Sequence, residues 1–187
     1  MGYWGLFIIV MLAGVVIQST LQGKFAKYSK VSLKYGYTGA DIARKMMQDN
    51  GITDVKVECI DGTLTDHYNP STKTVNLSKK VYYGSSVAAA AVAAHECGHV
   101  VQHAVGYAPL KLRSALVPVV SFANNTVQWI LLLGMLMIKT FPTLLWIGIA
   151  LFAMTTLFSF VTLPVEINAS ARAVKWLDNA GITDYET

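Results

Sequence analysis

Charge is scarce in this sequence. Asp, Glu, Lys and Arg make up 14% of its 187 residues, against about 25% in an ordinary soluble domain. Together with 53% hydrophobic residues, that deficit excludes a chain solvated by water alone. Three stretches hold no charged residue at all, Tyr3 to Leu21, Ala115 to Ile138 and Leu144 to Leu163, and each is close to the ~20 residues a helix needs to cross a bilayer. The first lacks a positively charged start, and its apolar core outruns the ~7–15 residues of a cleaved signal. It reads as a retained anchor over residues 1–22. The second carries Asn124, Asn125 and Gln128, polar groups that at membrane depth face other helices or a wet cavity.

Basic residues are almost missing from one side of this layout. Twelve lie between the first two stretches, from Lys24, Lys27, Lys30 and Lys34 to Lys111 and Arg113; Arg172 and Lys175 follow the third, leaving only Lys139 in the short KTFPT turn. Because basic residues near membrane ends stay on the cytoplasmic side, the expected topology puts the N-terminus outside and residues 23–114 inside. Two helices then cross over 115–163, and residues 164–187 return inside. The net charge of +4 needs no nucleic acid to explain it, since anionic lipid attracts a basic collar. Cysteine is equally sparse. Cys59 and Cys97 would face a reducing compartment, which argues against a disulfide, and Cys97 reads as a small packing residue. Internal repetition is lacking too. DNAGITDYE near the end echoes DNGITDV at 49–55, one helix-ending solution used twice and not a structural repeat.

Between the anchor and the second stretch the pattern is that of a small α+β domain. TGADIARKMMQDNG reads as a helix with Thr38 as N-cap and Gly51 as stop. VKVECI, LTDHY and KTVNLS are β-rich runs separated by DG and NPST, so a small antiparallel sheet is expected. Ser85 or Ser86 then caps an Ala-rich helix that ends near Gly106. Pro164 suits the first position of a further helix, LPVEINASARAVKWLDNAG.

The Ala-rich helix carries VAAHECGHVVQHAVG, with His95, His99 and His103 four residues apart and therefore on one face. His95, Glu96 and His99 complete His-Glu-x-x-His, a spacing that lets two imidazoles hold zinc while the carboxylate addresses a metal-bound water. Two imidazoles and a carboxylate in an apolar helix carry a desolvation cost that a bound dication offsets. His103 lies about 12 Å from His95 along the same helix, too far for all three to converge on one ion. Glu166 is the best-placed remaining acid for a third ligand, with Asn168 and Ser170 close by to orient ligands. A carboxylate at a helix start is also what the helix dipole favours by itself. His67, His103 and Arg172 are candidate donors to a transition state, although no spacing ties them to the metal. Two histidines and a carboxylate equally suit Fe(II) and an oxygenase, and a non-catalytic membrane adaptor stabilised by zinc is the alternative from another class.

YTGADIARKMMQDNGI, LTDHYNPSTKTVNLS, VAAHECGHVVQHA and LPVEINASARAVKWL, with the anchor before them, closely resemble the YugP-type bacterial membrane zinc metallopeptidases and more loosely the HtpX-like membrane proteases. The resemblance implies a zincin-like domain on about three transmembrane helices in the cell membrane and one Zn2+ per chain. It further implies ligands His95, His99 and Glu166, with Glu96 as the base of a gluzincin-like endopeptidase that acts on peptides or membrane proteins. Membrane-protein partners or a homo-oligomer stay open. Asn69 and Asn168 stand where the family usually has acids, which puts ligand orientation by a carboxylate in question. The family usually adds another membrane helix, and whether this chain is truncated before one stays open.

Overall fold

The computed structural model describes residues 3–33 and 35–182, apart from the side chain of Tyr3. Lys34 of the basic collar and the last five residues of the expected C-terminal segment lie outside them. Among the described residues, five long or medium helices, one helical turn and three strands follow in the order α1 (Tyr3–Tyr28), α2 (Gly39–Asp49), β1 (Lys56–Ile60), β2 (His67–Asn69), β3 (Thr74–Ser78), α3 (Lys79–Tyr82), α4 (Val87–Ala104), α5 (Ala108–Leu136) and α6 (Pro142–Asn179). Contacts divide the chain into two compact units. One holds the residues up to Cys97 with those from Ala173 onward, and the other is Gly98–Arg172. Both boundaries fall inside helices, α4 and α6, that continue through them.

In the first unit, α2 begins with a reciprocal cap. The Thr38 side chain accepts from the Asp41 amide, and the Asp41 carboxylate accepts from the Thr38 amide at 3.0 Å, so two otherwise orphaned donors are satisfied. That same hydrogen bonding, more than the nearby Arg44 charge, holds the Asp41 carboxyl below its ordinary value. The inner face of α2 buries Ala40, Ile42, Ala43, Met46 and Met47. At its end the Ile52 amide donates to the Met47 carbonyl with Gly51 at φ +68°, and at the end of α6 Ile182 donates to Leu177 with Gly181 at φ +62°. This is the Schellman closure, in which only glycine enters the left-handed region without cost. The echo between DNG and DNAG is therefore one cap used twice.

The sheet corrects the antiparallel expectation. Its order is β1-β3-β2; β2 pairs antiparallel with β3, whereas β1 pairs parallel with it. The chain does reverse between β1 and β2, as the DG turn implies, but β3 inserts between them. Every residue of β3 is buried, and the strand buried throughout gains most from neighbours on both edges. Ser86 supplies the cap of α4, its hydroxyl accepting from the Ala89 amide, and Ala88, Ala89, Ala90, Ala93 and Ala94 are buried along the helix.

Three helices are long and apolar enough to cross a membrane, α1, α5 and α6, and most of their large apolar side chains are exposed. An aqueous protein would not leave that surface uncovered; this is an α+β membrane protein. α1 continues past residue 22 through Lys24 and Lys27, so much of the basic collar is helical. The expected helix break at Pro164 is also corrected, because α6 runs unbroken for 38 residues with Pro164 inside it. Pro142 instead occupies the start, where its missing N–H costs nothing. An internal proline removes one hydrogen bond, yet α6 continues through Pro164. At 1.5 Å per residue α6 is about 57 Å long, well beyond the ~30 Å hydrocarbon layer.

Candidate metal centre

α4 sets the first part of the site. His95 and His99 occupy successive turns of one face, His95 half-buried and His99 only 7% exposed. α6 supplies the carboxylate, with Oε2 of Glu166 lying 3.4 Å from Nε2 of His99. A ligand atom from each of His95, His99 and Glu166 falls within 4.8 Å of the other two. Glu166 sits in the middle of α6, about 36 Å from its start at 1.5 Å per residue. A helix-start carboxylate drawn there by the dipole therefore no longer accounts for it.

The approach of α4 to α6 depends on what position 98 lacks. A Cβ on Gly98 would lie 2.5 Å from the carbonyl oxygen of Ala169, closer than atoms approach without displacement. The glycine between the two histidines lets the helices meet backbone to backbone. Below it, Gln102 is fully buried, with Oε1 3.1 Å from Nδ1 of His99 and Nε2 2.8 Å from the Val165 carbonyl and 3.0 Å from Oδ1 of Asn168. Arg172 donates to the same Asn168 oxygen at 2.8 Å. Arg113 of α5 brings Nη2 to 3.8 Å from Oε1 of Glu166, and its Nε is buried without a hydrogen-bond partner among the described residues.

Glu96 is half-buried, and its Oε2 accepts from the backbone amide of Tyr68 in β2 at 3.0 Å. Burial first, and the Asp54 charge second, raise the Tyr68 phenol above its ordinary value. Cys97 donates to the Ala43 carbonyl at 3.6 Å. Burial, then the Glu96 charge, push its thiol up, so it is the packing group that its place among alanines implies and not a thiolate ligand.

Of the other candidates, His103 is exposed one turn beyond His99 and outside the metal-competent group. His67 is exposed and braces the β2–β3 hairpin, with Nδ1 2.8 Å from the Thr65 carbonyl and Nε2 3.2 Å from Asn76. Asn168 and Arg172 join the hydrogen-bonded chain that runs through Gln102 to His99, and Ser170 is exposed. Sequence reasoning missed Gln102, Arg113, Gly98 and the Tyr68 amide. Gln102 alone left a local signal, a long polar side chain in an otherwise apolar helix.

One protein family, described as "Putative neutral zinc metallopeptidase", matches residues 3–187 of the chain. The chain belongs to this family of zinc metallopeptidases. A relative from Bacillus subtilis (strain 168), named "Putative membrane protease YugP", is 43% identical over 180 residues, covering 94% of this chain and 79% of the relative. No solved structure matches. The donor set suits the metal that names the zinc metallopeptidase family, since two imidazoles and one carboxylate are a common protein contribution to a zinc centre that keeps a position open. The approach of His99 Nε2 to Glu166 Oε2 at 3.4 Å is one that a shared proton or a metal cation favours.

Proposed function

We propose that the chain is a membrane-bound zinc endopeptidase in which His95, His99 and Glu166 hold one Zn2+ per chain and Glu96 is the general base. The observation that carries this reading is the convergence of the three candidate ligand atoms within 4.8 Å, with Glu96 next to His95 in the sequence. A zinc ion held there supplies Lewis acidity toward a scissile carbonyl and acidifies water. Glu96 takes a proton from the attacking water and passes it to the leaving amine. The Tyr68 amide fixes one of its oxygens, which holds the carboxylate in one orientation through both transfers. β2 forms an outer edge of the sheet, whereas β3 is internal, so of the two strands in reach an extended substrate adds at β2. The distribution of basic residues supports a cytoplasmic active site with the N-terminus outside.

The test uses the full chain purified without added metal. Wild type should hold one zinc per chain and cleave peptide substrates. Glu96→Gln should keep the zinc and lose about 10²- to 10⁴-fold in rate. Unchanged cleavage by that variant rejects the mechanism, and iron at one per chain in place of zinc favours an oxygenase.

A further inference from the structure

Gln102 belongs to neither the ligand pair nor the base, yet it is the most enclosed polar side chain near the site, with no exposed surface. Its contacts determine the orientation of its amide. The Val165 carbonyl, 2.8 Å away, can only accept, so the NH2 group must face it. Oδ1 of Asn168 accepts from the same NH2 at 3.0 Å and also from Arg172 at 2.8 Å. Both amide hydrogens of Gln102 are thereby used, and Oε1 is left facing Nδ1 of His99 at 3.1 Å. An oxygen that can only accept requires a donor opposite, so His99 carries its proton on Nδ1. Nε2, the atom 3.4 Å from Glu166, is then the nitrogen that faces the metal-competent group.

We infer that Gln102 is a positioning residue that assembles the metal centre before metal arrives. It selects the His99 tautomer that ligates through Nε2, and it ties α4 to the backbone of α6 one residue before Glu166. Two of the three ligands are thus set by a single neutral amide. The role that a carboxylate often has behind a metal-bound histidine falls here to an amide, backed by Asn168 and Arg172. An amide adds no negative charge behind the ligand. This inference rests on the reading that His99 and Glu166 hold the metal.

The experiment compares full-length wild type, Gln102→Met and His99→Ala in detergent, titrating each with zinc against a chelator of known affinity and with cobalt as a spectroscopic reporter of ligand geometry. Methionine keeps the length and volume of glutamine without its hydrogen bonds. The expected result is zinc binding weakened about 10- to 100-fold in Gln102→Met and an altered cobalt spectrum. A purely structural role would lower thermal stability and leave both readouts unchanged, and that result overturns the inference. Should the variant fail to fold, the wild-type chain still decides. Nitrogen NMR of ¹⁵N-histidine in the metal-free protein, with His99 assigned by its loss in His99→Ala, should show a proton on Nδ1. An Nδ1 without a proton overturns the inference. Zinc affinity that does not depend on His99 overturns the metal assignment itself, whereas dependence on His99 without dependence on Gln102 overturns only the role of the glutamine.

Discussion

α4 and α6 both carry charged or polar site residues on apolar helices, and they do so by opposite means. α4 is an 18-residue helix lined with buried alanines; its histidines come from one strict spacing, and its environment is protein. α6 is a 38-residue helix whose apolar side chains are mostly exposed, and its site acid, Glu166, is placed by position along a continuous rod. Local sequence can set ligands on one helix. Joining them to a residue 67 positions later, from His99 to Glu166, takes contact between backbones, which Gly98 permits and Gln102 fastens.

The division of labour can be broken at either helix. The largest effect is expected from Glu166→Gln, which removes the one anionic ligand with little change in shape. Zinc affinity measured by chelator competition should fall by more than the roughly 10- to 100-fold that follows loss of a ligand's hydrogen-bond partner; near-native affinity would mean that α4 holds the metal without α6. Gly98→Val tests the junction instead of a ligand. Its side chain meets the Ala169 carbonyl, so about 1–3 kcal/mol of stability should be lost as overpacking, with zinc affinity falling alongside. A stability loss with unaltered affinity would show that the helices need not be so close for the metal.

Thr38→Ala sharpens the contrast from outside the site. Loss of the α2 cap should cost about 1 kcal/mol in denaturant unfolding while zinc affinity stays constant. Because the folded-state pKa of Asp41 is depressed, its contribution is present above the ordinary value of 3.8 and fades as pH falls through the lower folded value. The gap between wild type and variant should therefore narrow in strong acid. The smallest effect is expected at His103→Ala. This residue is exposed and shares the histidine face of α4, so stability should move by no more than about 0.5 kcal/mol and zinc binding should not change. A marked loss of zinc would return the third histidine to the centre.

Legibility in the sequence followed the distance over which each feature is decided. The α4 face, the Thr38 cap, the two glycine closures and the apolar spans all depend on residues within a turn or two of one another, and all could be read from spacing. The sheet order could not. Whether β1 lies beside β2 or β3 depends on which strand is buried on both faces, and β3 gains that burial only from helices elsewhere in the chain. Pro164 misled as well. Proline commonly ends a helix at the residue before it, yet α6 continues through Pro164. Arg113 left no local trace, because it reaches Glu166 from a third helix.

The residue between the two histidines also explains why a short metal pattern can be so sensitive to its interior. Imidazole spacing fixes where the cation can be gripped from one side, but the hydrogen at position 98 fixes the clearance to the opposing rod. Ångströms of separation are written there as an omitted methyl group. A motif transplanted with its ligands intact and that gap filled would keep its grip and lose its reach.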